Sequence, residues 1–123
     1  MIKARYDQEH NAVMIEFEGK IDAAQAEQFY PEIQKIVPKH GKGFKLLSDF
    51  TKLDEMDMEV RGTIKKTMDF FNQQGVTEII RVIPKPEQDI GFGIMSIFHY
   101  SKEVVIVTLK SREEAEARLK NEN

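Results

Sequence analysis

The sequence predicts a single α/β domain on a mixed central sheet of about five strands with about four helices, in the order β-β-α-β-α-β-α-β-α. Three observations predict it. After an opening pair of short alternating runs, strand-like segments give way in turn to segments with apolar residues three and four apart. At 123 residues the chain has the length of one domain and can bury a core without covalent staples. No internal repeat, low-complexity tract or long linker interrupts it, so residues 1–123 are read as one unit.

Taken in order, Ile2, Ala4 and Tyr6 alternate with Lys3, Arg5 and Asp7, the period of a half-buried strand. Val13, Ile15 and Phe17 repeat the pattern after a polar turn over Gln8–Asn11, so the two runs read as a hairpin, with Gly19 ending the second strand. Asp22 is placed to cap a helix, and Gln25 completes a capping box. Ala26, Phe29, Ile33, Ile36 and Val37 then keep helical spacing until Pro38. Pro31 lies inside that pattern and, lacking an N–H, predicts a kink or a late helix start.

Phe44 to Leu47 reads as a short strand ending in Ser48 and Asp49. An acidic loop over Asp54–Asp57 leads to a helix whose apolar face is Val60, Ile64, Met68 and Phe71, closed by Gly75. Ile79, Ile80, Val82 and Ile83, interrupted by Arg81, form a β-branched run suited to a strand covered on both faces. Beyond Pro84 and Pro86, Asp89 is expected to cap a short helix carrying Ile90, Ile94, Ile97 and Phe98. Val104–Leu109 reads as another buried strand. Ser111 and Glu114 then cap a last helix packing through Ala115 and Leu119. The alternation predicts that the later strands are parallel.

The 18 basic and 21 acidic residues leave a net charge of −3, without the basic excess of a nucleic-acid binder. The absence of cysteine removes disulfides, thiolate metal sites and cysteine nucleophiles, and fits a reducing compartment. No apolar run approaches the ~20 residues of a membrane span. The start, MIKARYDQEH, has no signal-peptide core. A cytoplasmic protein with no stable membrane insertion is expected.

Motifs that carry chemistry are missing. There is no GxSxG elbow, Walker loop, HExxH or paired-carboxylate pattern. Gly91-Phe92-Gly93 lacks the third glycine and preceding strand of a dinucleotide site, and His10, His40 and His99 have no metal spacing. The reading is therefore no enzyme, no cofactor and no metal. Asp54, Glu55, Asp57 and Glu59 cluster at a helix start, where each carboxylate is worth about 0.3–1 kcal/mol against the helix dipole. The same cluster could present a recognition patch. Met56 and Met58 flank Asp57 and offer adaptable thioethers, either to a partner or to the end of the core. Arg61, Lys65 and Asp69, one turn apart, form a solvated face or the rim of a surface reading an acidic partner.

The strand-to-helix junction and the C-terminal third resemble the STAS family, named for sulfate transporters and anti-sigma-factor antagonists. Asp49-Phe50-Thr51 is similar to that family's strand-ending Asp-Leu-Ser, and Asp57 to the Asp that opens its helix. Tyr100–Val107, followed by Ser111–Ala115 and Leu119, is similar to its last strand and final helix. In bacterial anti-sigma-factor antagonists a serine phosphorylated by a partner kinase follows that Asp. Here Met58 stands there, and a thioether accepts no phosphoryl group. Glu59 brings one charge without the phosphate's extra oxygens, and Val60 and Arg61 replace a customary glycine.

The resemblance implies a non-catalytic regulatory module that binds another protein, a regulatory kinase, an anti-sigma-like factor or a signalling complex. Asp49, Thr51, Asp57, Met58, Glu59, Arg61 and Lys65 would form the contact, with regulation either independent of phosphorylation at the family's position or using another residue such as Thr51 or Thr63. A related branch resembles Sec14-type lipid-binding proteins. It gives the second expectation, a carrier of a lipid or small apolar ligand in a pocket formed by Phe92, Ile94, Met95 and Phe98.

Overall fold

The computed structural model describes residues 1–38, 43–85 and 100–121. The opening hairpin pairs β1 (Ile2–Asp7) antiparallel to β2 (Ala12–Ile21), with Ala4 opposite Ile15. β3 (Phe44–Met56), β4 (Val76–Val82) and β5 (Val105–Leu109) follow parallel to β2, and the spatial order is β1-β2-β3-β4-β5. Helices α1 (Ala23–Ile36) and α2 (Arg61–Gln73) pack on one face of the sheet, and α3 (Arg112–Asn121) packs on the other.

The period of two along the strands explains this layering. Val13 and Ile15 of β2, Leu46 of β3 and Ile79 of β4 face the paired helices, meeting Ile33 of α1 and Phe71 of α2. The intervening residues Ala12, Met14, Leu47, Ile80 and Val82 face Ala115 and Leu119 of α3. A third cluster, Ile21, Ala26, Phe50, Leu53, Val60 and Ile83, seals the carboxyl end of the sheet, where the candidate surface lies.

Several expectations hold. Asp22 and Gln25 form a reciprocal capping box, with the Gln25 N–H donating to Asp22 Oδ1 at 2.8 Å and the Asp22 N–H donating to Gln25 Oε1 at 3.0 Å. The Glu114 N–H donates to Ser111 Oγ at 3.2 Å, and Ala115 and Leu119 are buried as predicted. Val60, Met68 and Phe71 are buried with Ile64 half-buried, the predicted face of α2. Gly75 takes φ +92 directly after α2.

Other expectations are corrected. β3 does not end at Asp49. It continues to Met56, because β2 also runs past Gly19 to Ile21 and supplies partners for Lys52, Leu53, Glu55 and Met56. Two register shifts in that pairing break the alternation, which is why the segment reads as a loop. Asp54 and Glu55 therefore belong to a strand. Pro31 neither delays nor ends α1; it sits exposed inside a helix already running from Ala23. β5 is an outer strand with Val105 exposed, so it is less buried than expected. Three α-helices occur among the described residues, and the predicted fourth, over Asp89–Phe98, lies outside them.

One turn imposes a strict residue requirement. Gly43 has φ +84, and a Cβ there would meet Thr77 Cγ2 at 2.7 Å. The Thr77 side chain cannot easily swing away, because its hydroxyl donates to the Phe44 carbonyl at 3.1 Å. The Gly43 carbonyl in turn accepts from Asn11 Nδ2 at 2.8 Å, fixing the loop against the hairpin. Gly43→Ala should cost about 1–3 kcal/mol through backbone strain and this clash. A denaturant midpoint equal to wild type would refute it.

Candidate partner-binding surface

The candidate surface begins where β3 gives out. The Asp57 N–H donates to the Ile21 carbonyl at 3.0 Å, the last tie between chain and sheet before a single 3₁₀ turn, Met58–Val60. Val60 is drawn into the apolar cluster at the sheet end and is only 2% exposed. Residues of a 3₁₀ turn project in directions about a third of a turn apart. With Val60 inward, Met58 is thrown outward and is 72% exposed. Met56, on the strand side of Asp57, packs against the same cluster. Met56 thus closes the end of the core, while Met58 is exposed.

Asp57, Glu59, Arg61 and Lys65, on the same turn and the start of α2, are all exposed. Asp57 precedes the turn but makes no side-chain capping bond, so its carboxylate faces solvent. Glu59 is the acidic residue of the 3₁₀ turn, and the first turn of α2 has none. The dipole account therefore covers little of the cluster.

Asp49 and Thr51 are used differently from Met58. Asp49 Oδ1 accepts from the Thr51 N–H at 2.9 Å and from its hydroxyl at 2.5 Å, while Oδ2 accepts from Arg112 Nη1 at 3.2 Å. Arg112 also meets Glu16 and Glu116 at 3.0 Å each. Burial works against the guanidinium charge, but hydrogen bonds to Asp49, Glu116 and Glu16 outweigh it and raise the Arg112 pKa. Asp49 thus ties β3 to α3, across a gap of 63 residues that no local motif could announce.

Thr63 is not an available phosphoacceptor. It is 6% exposed, and its hydroxyl donates to Glu27 Oε1. Lys66 reaches the same carboxylate at 3.2 Å and lies 4.4 Å from the centre of the Tyr30 ring. The Thr63 and Lys66 bonds hold the Glu27 carboxyl below its usual range. This clamp fastens α1 to α2. Thr51 stays exposed, with its hydroxyl committed to Asp49.

At the opposite end of the sheet the hairpin turn brings Asp7, Glu9 and His10 together, with ligand atoms within 4.8 Å of one another. No spacing in the sequence announces this grouping, which depends on the turn's geometry. His10 Nδ1 lies 2.8 Å from Asp7 Oδ2, and that hydrogen bond is the main reason the Asp7 carboxyl is held below its ordinary 3.8. A carboxyl lowered on folding adds stability above its unfolded pKa, and this stability fades as pH falls through the lowered value. Asp7 should therefore titrate below 3.8 by carbon-detected NMR, and His10→Ala should move it back upward. An unchanged Asp7 titration in that variant would contradict the assignment.

Beneath α2 lies a cavity of about 90 Å³ between the two paired helices and the sheet. Ala26 and Phe29 of α1, Ile64 and Met68 of α2, and Ile15 and Ile79 of the sheet line it. Thr63, Thr67, Arg81 and Tyr100 also reach its wall. Burial raises the Tyr100 phenol well above its usual pKa, opposed by Arg81 and reinforced by Asp69. The expected pocket residues Phe92, Ile94, Met95 and Phe98 lie outside the described residues, as do His40, His99 and the Gly91-Phe92-Gly93 stretch.

No family model and no curated protein sequence matches the chain. Solved structures do. An uncharacterised protein from Shewanella loihica PV-4 with a SpoIIAA-like fold superposes at a TM-score of 0.69 and 14% identity, over 97% of this chain and 92% of that one. The phosphorylated form of SpoIIAA, the Bacillus cell fate determinant, gives 0.66 and 18%, over 97% and 99%. An anti-sigma factor antagonist from Mycobacterium paratuberculosis gives 0.60 and 11%, over 98% and 96%. The fold is therefore STAS-like, as the junction and C-terminal residues led one to expect. Among the described residues no helix is long and apolar enough to cross a membrane.

Proposed function

We propose that this chain is a non-catalytic regulatory module that docks another protein through the start of α2. Met58 is the centre of the contact, with Asp57, Glu59, Arg61 and Lys65 around it. The observation that carries this reading is the opposition of Met58, 72% exposed, to Val60, 2% exposed, two residues later in the same turn. A large apolar side chain held outward on a rigid support, within a ring of charges, is the composition of an interface centre and its rim. Solved proteins of the same fold include anti-sigma factor antagonists, which supports a protein partner of the anti-sigma or kinase type. On the resemblance, Met58 corresponds to the serine phosphorylated in anti-sigma-factor antagonists, and Thr63 is buried, so docking here does not depend on phosphorylation at either position. Asp49 and Thr51 serve this surface from behind, by holding β3 to α3.

Met58→Asp and Arg61→Glu test the reading in a pull-down against wild-type protein. Loss of a centre residue should weaken capture at least tenfold, since such residues contribute roughly 2 kcal/mol or more. Both folded variants retaining full capture would remove the surface from consideration.

The apolar cavity favours a second reading, a small-molecule or lipid carrier. Its volume limits that reading, because an apolar cavity of ~150 Å³ accommodates only benzene. An acyl chain would require α1 and α2 to separate. Native mass spectrometry of freshly purified protein tests the lipid form, which predicts a hydrophobic adduct.

A further inference from the structure

We infer that the cavity between α1, α2 and the sheet is a site for a small, neutral, apolar molecule no larger than benzene, and that its occupancy is felt at Met58–Arg61. The inference rests on the carrier reading for its need of a ligand, and departs from it in replacing a lipid by a much smaller molecule.

Size and chemistry set the class. At about 90 Å³ the space exceeds one water molecule many times over and falls short of the ~150 Å³ that holds benzene comfortably. Three of the polar side chains at the wall make bonds within the protein. Thr63 donates to Glu27, Thr67 donates to the Thr63 carbonyl at 2.7 Å, and Arg81 Nη2 donates to Thr108 Oγ1 at 2.8 Å. Ser48, Tyr30 and Tyr100 add single hydroxyls, and most of the remaining lining is aliphatic and aromatic, with Ile15, Phe29, Ile64, Met68 and Ile79 among it. Such a lining lacks neighbours on one side, so an apolar guest supplies dispersion contacts without displacing a hydrogen bond.

Coupling follows from which element forms the roof. Ile64 and Met68 of α2 line the cavity together with Val60, the residue whose burial sends Met58 outward. A guest that presses on Val60 and Ile64 moves the same turn that carries Met58 and Arg61.

The test uses the whole chain with labelled isoleucine and methionine methyls, under xenon pressure and then with benzene and benzoate as probes. Expected are saturable shifts at Ile15, Ile79 and Met68, accompanied by amide shifts at Met58–Arg61. Met14 and Ile80, on the α3 face, should stay unmoved. Ala26→Leu and Thr67→Leu, filling the space from opposite walls, should each abolish the response. Non-saturating shifts, equal shifts on both faces, or benzoate binding as well as benzene would overturn the site or its class. Methyl shifts without amide shifts at Met58–Arg61 would overturn the coupling. The readout on wild-type protein needs neither variant to fold and no partner, so its failure is distinct from failed docking. A lipid adduct with no response to xenon would favour the carrier reading and refute this one.

Discussion

Leu47→Ala lowers stability by about 4 kcal/mol, near the upper end of the range for leucine truncation in a core. Leu47 is 0% exposed on β3, paired with Met14 on one side and Ile80 on the other. Both neighbours belong to strands fixed by their own ladders, and α3 closes the face through Ala115 and Leu119. The sheet cannot collapse into the space, so the cost of the cavity adds to the lost transfer energy. Against the 5–15 kcal/mol of an ordinary domain, this moves the melting temperature down by on the order of 10 °C. Urea unfolding with an unchanged slope measures it directly. A loss below about 1 kcal/mol would mean the α3 face is looser than its burial implies.

Arg118→Met should cost roughly 3 kcal/mol, while Arg118→Met combined with Glu78→Leu should lie close to wild type. Glu78 is 5% exposed on β4, and its Oε1 accepts from Arg118 Nη2 at 2.6 Å and Nε at 3.1 Å. Its other oxygen, Oε2, is buried with no hydrogen bond. Removing the arginine leaves a carboxylate in a poorly solvated place, which is far more expensive than the net worth of the pair. Two features keep the figure at the low end. The Arg118 side chain is 35% exposed, and Lys45 stands opposite Glu78 in the β3–β4 register. If the double variant is as unstable as the single one, the arginine matters through packing and not through charge.

Local chemistry made much of the fold legible. Asp22 with Gln25, Ser111 with Glu114, and the stripe from Val60 to Phe71 each depend on residues within a turn or two of one another. The exposure of the segment around Asp57 and Met58 was legible for the same reason. What escaped was non-local. The extension of β3 past Asp49 depends on β2 offering partners with two register shifts, and those shifts erase the alternation by which a strand is read. Thr63 looked accessible until Glu27, 36 residues earlier, was found holding its hydroxyl. Asp49 read as a contact residue because Arg112 lies far along the chain. The cavity left no signature at all, since its walls come from the hairpin, both paired helices, two further strands and Tyr100.

The spatial sequence of the strands, β1-β2-β3-β4-β5, repeats their order in the chain. During synthesis each new strand therefore finds its sheet neighbour already made, and none must be threaded between two that came earlier. Growth can proceed from the hairpin outward as the chain emerges, with each crossover closing a loop of modest length. Among the described helices only the last, which shields Met14, Leu47 and Ile80, arrives after the surface it covers is complete. The nascent chain is thus most adhesive just before the ten residues of α3 dock.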